Sequence, residues 1–169
     1  FLSHATMEPM NATVLIDDDV VKVWCGNQAP TFIREHCAEE AGMSPDMVEV
    51  NTTLLGGGFG RRGEIDFAVY ATRVAKAVPG TPVQLTWSRE EDMTHDFYRP
   101  AAIARMRGGV SEGTAVLMDA KVSSPSVTTQ AMGRWMGFAP SGPDRAIVDG
   151  MFNQPYGIPN FRVQGHVAD

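Results

Sequence analysis

Cysteine and lysine are both scarce in this 169-residue chain. The two cysteines, Cys25 and Cys37, stand twelve residues apart with no CxxC pair, which excludes a disulfide scaffold and leaves no zinc-type spacing. Each reads as a core thiol. Three lysines against eleven arginines carry the positive charge, and the acids outnumber them to a net charge of −6 and a pI near 5.1. That balance argues against a general nucleic-acid or anionic-membrane surface, while the arginine bias suits bidentate recognition of oxyanions at particular places. No apolar run approaches the ~20 residues of a membrane-spanning helix, so no direct membrane insertion is expected. The chain opens at Phe1 with no initiator methionine, basic n-region or apolar h-region, and therefore reads as a segment of a larger protein. It shows no internal repeat, low-complexity tract or linker composition, so residues 1–169 are expected to form a single domain.

The stretch that stands out is Gly56-Gly57-Gly58-Phe59-Gly60-Arg61-Arg62-Gly63. It follows the alternating apolar run Val48–Leu55, which reads as a strand, and precedes Glu64–Val78, which reads as a helix. Glycines at such a turn allow left-handed backbone and close approach of a ligand. A helix amino terminus beyond them offers N–H groups and partial positive charge to an anionic oxygen, and Arg61 and Arg62 add to that expectation.

The rest reads as α+β, with mixed and antiparallel sheets and packed helices. Ala12–Ile16 and Val20–Trp24 form a hairpin about Asp17-Asp18-Asp19. Pro30 opens a helix over Thr31–Ala41 that Gly42 closes. Val83–Trp87 is a short strand, followed by the acidic run Ser88–Met93. Ala101–Val110 and Ala115–Pro125 form a second hairpin, and Phe161–Val167 a last strand. Between them, Val127–Asp149 is apolar enough to pack but broken by glycine and proline.

Two functional readings follow from the residues alone. Gly58–Gly63 formally matches GxGxxG between a strand and a helix, the mark of an NAD- or FAD-binding domain. Such a domain wants an acid about twenty residues on for the ribose, and Ala75–Ser88 contains no Asp or Glu. No Gly-Lys-Ser/Thr follows the glycines either, which makes a P-loop reading weaker still. The second reading is a non-catalytic module that binds an anion or nucleotide through the same loop.

Four motifs in register carry a more specific likeness: His4-Ala5-Thr6-Met7-Glu8-Pro9, Trp24-Cys25-Gly26-Asn27-Gln28-Ala29-Pro30, the Gly56–Arg62 loop, and Arg89–Met93 with His95–Pro100. Together they resemble the large, molybdopterin-binding subunit of the molybdenum hydroxylases, the xanthine dehydrogenase and aldehyde oxidase family, and most of all its isoquinoline 1-oxidoreductase beta-subunit branch. The likeness covers essentially the whole chain and implies that it is part of the molybdopterin-binding domain of an oxidoreductase. The parent would hydroxylate N-heterocycles or oxidise aldehydes with water as oxygen source.

By that resemblance Gln28 lies beside the apical oxygen of the molybdenum centre without ligating the metal. Backbone N–H groups of Gly57, Gly58, Phe59 and Gly60 surround the oxo ligand and the pterin, with the Phe59 ring near substrate, and Gly56, Arg61 and Arg62 of the same loop are counted with them as cofactor-binding. The implied cofactor is molybdenum–molybdopterin in its cytosine dinucleotide form. The implied partners are the remainder of the large subunit and a small subunit carrying iron–sulfur clusters. The family's general base lies beyond Asp169, so no catalytic residue is expected within the chain, and the isolated segment is expected to be inactive. The glutamate that orients purines in many members falls at Gly63 here, with Glu64 beside it. His4 and Glu8 are expected to hold structure by hydrogen bonding, whereas His95 and Asp96 could line an interface, a cofactor channel or a plain polar loop.

Overall fold

A computed structural model describes residues 2–168. The chain forms two compact units, Leu2–Tyr98 and Arg99 to the carboxy-terminal end, and its mixed sheets and packed helices make it an α+β protein.

In the first unit, β1 (Asn11–Asp17) and β2 (Val20–Cys25) make the expected hairpin, with Asp18 and Asp19 at the turn. Alternate residues of both strands are buried, so one sheet face is committed to a core. Helix α1 (Pro30–Ala41) then carries the chain over to β3 (Val48–Thr52), which lies parallel to β2. Helix α2 (Asp66–Lys76) leads to β4 (Val83–Thr86), antiparallel to β1, and the sheet order is β3-β2-β1-β4. Ile33 and Cys37 of α1 and Phe67, Ala68, Ala71 and Ala75 of α2 close over Val14, Val21 and Val23 in one apolar core. The alanine face lets α2 lie close on β1. Cys25 and Cys37 are both buried, free thiols, and burial pushes each up to about 11, where a thiol is inert as a nucleophile.

The connection from β3 to α2 departs from the expected strand-to-helix turn. The strand expected to reach Leu55 stops at Thr52, the helix expected from Glu64 begins at Asp66, and Arg61–Gly63 form a separate 3-10 turn between them. The glycine loop therefore does not sit on the first turn of a long helix. Its place is fixed instead by bonds to distant segments, described below. The acidic run is also more ordered than expected: Arg89–Thr94 is a short helix, α3, whose first turn is capped by the Ser88 hydroxyl accepting from the Glu91 N–H.

The second unit is a three-stranded sheet in the order β5-β6-β7. β5 (Ile103–Ser111) and β6 (Thr114–Ser124) form the second hairpin, and β7 (Asn160–Val167) lies parallel to β6. The stretch left open between them contains helix α4 (Val127–Met136), stopped by Gly137 at φ 72°, and a 3-10 turn at Arg145–Val148. Asp144 organises this region. Burial opposes its charge, yet bonds from Ser126, Ala146 and Thr128 outweigh that and hold its carboxyl below the ordinary value.

Candidate functional site

The four sequence motifs, the last of them as far as Tyr98, meet in the first unit around the glycine loop. Glu8 is the tie between the loop and the amino-terminal segment. Its N–H donates to the Gly56 carbonyl at 3.0 Å and its Oε2 accepts from the Gly56 N–H at 2.9 Å. Asn11 donates to the other carboxylate oxygen at 2.9 Å. Burial opposes ionisation of Glu8, but the bonds from Asn11 and Gly56 and the nearby Arg62 charge prevail, and the carboxyl titrates below its ordinary value. A side chain at position 56 would force Glu8 or the loop to shift, since an added Cβ would stand 2.3 Å from the Cβ of Glu8.

Arg61 and Arg62 point inward. Arg62 is fully buried and donates to the carbonyls of Gly57, Gly26 and Glu8 and, at 2.8 Å, to Glu8 Oε2. One guanidinium thus spans three of the four motifs. Arg61, equally buried, makes a bidentate pair with Asp66 at 2.8 Å, lies 3.2 Å from Asp96 Oδ1, and has the rings of Trp87 and Phe97 at 5.5 and 5.2 Å. Asp96 also receives the backbone N–H of His4 and pairs with its ring nitrogen at 2.9 Å. Arg89 closes the circle by donating to the Thr6 and Met7 carbonyls and to Asp92. The expectation that both arginines face an incoming anion thus gives way to a framing role. An arginine so buried needs partners inside the protein: Arg62 spends its donors on carbonyls and the Glu8 carboxylate, and Arg61 on Asp66, while its Nε, 3.2 Å from Asp96 Oδ1, makes no hydrogen bond.

Beside this frame lies a small set of neutral donors. The Gln28 N–H donates to the Arg62 carbonyl at 2.8 Å, which fixes the residue against the loop. Its side-chain Oε1 accepts from the Gly60 N–H at 3.1 Å. Because an N–H donates there, the facing amide atom must be oxygen, and Nε2 turns away from the loop. That Nε2 and the N–H groups of Gly57 and Gly58 donate to no group among the described residues. An added Cβ at Gly58 would stand 2.6 Å from Gln28 Oε1, so the amide occupies the space a side chain would fill. Gly57, Phe59 and Gly60 all have positive φ, of 100°, 54° and 101°. For a phenylalanine this is an uncommon conformation, and it presents the ring to solvent, 63% exposed.

Sequence reasoning missed Asn27. It is buried, donates to the Cys25 carbonyl and Thr52 Oγ1, and leaves its Oδ1 without a hydrogen bond. Its neighbour Gly26 packs so closely on the Leu54 carbonyl that an added Cβ would lie 3.0 Å away. The glycine in Cys25-Gly26-Asn27-Gln28 was the available signal of such close approach. Among the described residues no group of three His, Cys, Asp or Glu could hold a metal ion, and no helix is long and apolar enough to cross a membrane.

Comparison with known proteins gives this geometry a setting. A family model described as the molybdopterin cofactor-binding domain matches residues 2–169. Isoquinoline 1-oxidoreductase subunit beta of Brevundimonas diminuta is 36% identical over 110 residues, 64% of this chain. A membrane-bound aldehyde dehydrogenase of Gluconacetobacter polyoxogenes, whose name carries pyrroloquinoline quinone, is 36% identical over 104 residues, 62% of this chain. The chain spans 14% of the length of each of these relatives. Among solved structures, the aldehyde oxidoreductase of Desulfovibrio gigas shares the fold over 96% of this chain and 17% of its own, with a TM-score of 0.63 at 19% identity.

Proposed function

The chain belongs to the molybdopterin cofactor-binding domain family, and we propose that its Gln28 amide and glycine loop form one wall of the molybdenum–pterin site of a larger hydroxylase. The observation that carries this reading is the donor set of Gln28 Nε2 with the N–H groups of Gly57 and Gly58, gathered on a loop that a buried scaffold frames and left without acceptors among the described residues. Neutral donors suit oxo and pyrophosphate oxygens, since they hold an anionic group without adding a charge beside the metal. The glycines matter because no side chain stands between the backbone donors and the group they would hold. Gly56, Gly57, Gly58, Phe59 and Gly60 make the contact surface. Arg61 and Arg62, expected from the sequence to take part in cofactor binding, act from behind by fixing its shape.

Two-electron oxidation with oxygen drawn from water is the chemistry the molybdenum–pterin group supplies when bound. This chain's part is to bind that group, orient it and present the exposed Phe59 ring as an apolar surface for a flat substrate. Substrates of the class named in the relatives, N-heterocycles or aldehydes, fit such a surface. Purine orientation does not, since Gly63 has no carboxylate and Glu64 is buried. The cytosine dinucleotide form of the pterin, iron–sulfur clusters on a small partner subunit and a general base beyond Asp169 complete the proposal. The isolated chain lacks that base and does not turn over.

The test is metal analysis of the full-length protein with acid release of its bound nucleotide. Molybdenum with a cytidine nucleotide is the expected result. A quinone cofactor, or an adenine dinucleotide without molybdenum, would overturn it.

A further inference from the structure

The second unit carries a charge arrangement that its own residues do not balance. Residues 2–98 hold fifteen Asp and Glu against seven Lys and Arg, whereas residues 99–169 hold five against seven. Much of the second unit's positive charge lies on one sheet face. In the hairpin register Arg105 stands opposite Lys121 and Arg107 opposite Asp119, and across the next ladder Asp119 stands opposite Arg162. Residues two apart on a strand share a face, so four cations and one anion sit together.

The anion is fully occupied. Asp119 Oδ2 accepts from Arg107 at 2.6 Å and from Arg162 at 2.7 Å, and its Oδ1 accepts from Arg162 at 2.8 Å. Those bonds hold its carboxyl far below the usual carboxylate range. Arg105 and Lys121 are left with no counter-charge among the described residues, and like charges directly opposite one another weaken a strand pair. Arg105, Arg107, Asp119 and Lys121 line a cleft of about 280 Å³. The face is therefore concave, cationic and held in shape by a saturated carboxylate at its floor.

We propose that this cleft is a docking site for an acidic protein segment, which places at least one Asp or Glu carboxylate between Arg105 and Lys121. The guanidinium fork suits a planar carboxylate and the lysine supplies a point charge beside it. A protein segment fits better than a nucleic acid: a phosphate backbone is attracted by extended basic surfaces, and this patch is a few residues wide on a chain of net charge −6. The chain spans 14% of its relatives' length, so the segment is assigned to the remainder of the parent protein.

Lysine scarcity makes the test direct, because Lys22, Lys76 and Lys121 are the only lysines. The full-length protein with its co-purifying subunits is treated with a carbodiimide, which joins an amine to a carboxylate in contact without a spacer, and the products are mapped by mass spectrometry. A Lys121 cross-link to an Asp or Glu of the parent polypeptide outside residues 1–169 is expected, and a cross-link only to a separate subunit or only within residues 1–169 overturns the proposal. Lys121→Gln should abolish it, and Arg105→Gln should lower its yield severalfold and make it more sensitive to salt. A Lys121 that stays uncoupled and acetylates as fast as Lys22 overturns the proposal. So does protection of Lys121 by added inorganic phosphate without any cross-link, which would mark a small-oxyanion site, and so does nucleic acid recovered on the patch after ultraviolet irradiation.

Discussion

Glu8 and Gly58 carry the candidate site in different ways, and each can be tested alone. Glu8 holds the loop through its charge. Its folded carboxyl titrates below the ordinary value of 4.5, so the stability it contributes is complete above the unfolded value and is lost as pH falls through the folded one. Glu8→Gln keeps an acceptor but leaves the buried Arg62 without a counter-charge, and should cost about 1–2 kcal/mol near neutral pH, discounted for the partial exposure of the carboxylate. Thermal midpoints followed from pH 7 to 3 should show the two proteins converging as the wild-type carboxyl protonates; parallel curves would show that its charge contributes nothing. Gly58→Ala acts by shape. The new methyl would displace the Gln28 amide from the Gly60 N–H, so the full-length variant should fold but lose at least about tenfold in bound cofactor, ~1.4 kcal/mol. Wild-type molybdenum content in that variant would remove Gln28 from the site. The sequence made the glycines and Gln28 legible because both are local signals. The inward turn of Arg61 and Arg62 was not legible, since it depends on Glu8, Trp87 and Asp96, which are remote in sequence and meet only in the fold.

At the scale of elements, the legible parts were those with their own punctuation. The hairpin is marked by two apolar runs around the acidic turn Asp17–Asp19, and α1 is bracketed by Pro30 and Gly42, so both ends could be placed. Gly42 has φ 77° and its N–H reaches the Ala38 and Glu39 carbonyls while the Met43 N–H also reaches Ala38, the pattern of a left-handed helix stop. Gly42→Ala should therefore destabilise by about 1 kcal/mol, read as a shift in the urea midpoint, without change in cofactor content of the full-length protein. An unchanged midpoint would mean that the left-handed stop matters little to α1. The boundaries of β3 and α2 were misjudged for a physical reason. Apolar alternation continues through Leu54 and Leu55, but the Glu8–Gly56 bonds peel the chain off the sheet before it can continue pairing. Helix α3 was overlooked because its six residues show no apolar period; only Ser88 and the acids of its first turn announced it.

For the whole molecule, the exposed surface bears on what the chain does by itself. In the second unit β5 is exposed along nearly its whole length, with Ile103, Met106 and Val110 among its outward residues, and Val127, Met136 and Phe138 are exposed as well. In the first unit Met7, Leu54 and Phe59 stand out to solvent around the glycine loop. Apolar exposure on this scale marks surfaces that other protein or a ligand covers, in keeping with a chain that spans 14% of its relatives' length. Each unit nonetheless keeps a buried interior, the first a core through β1, β2, α1 and α2, the second Ala120, Val122, Ala131 and Val148. The 169-residue chain should therefore fold yet self-associate or bind a hydrophobic dye, several times more strongly per mole than the full-length protein does. Dye fluorescence and light scattering on matched concentrations measure this. A monodisperse, dye-silent chain would mean that these side chains are an ordinary solvated surface, and the case for covering segments over the first unit's loop and the second unit's sheet would fall together.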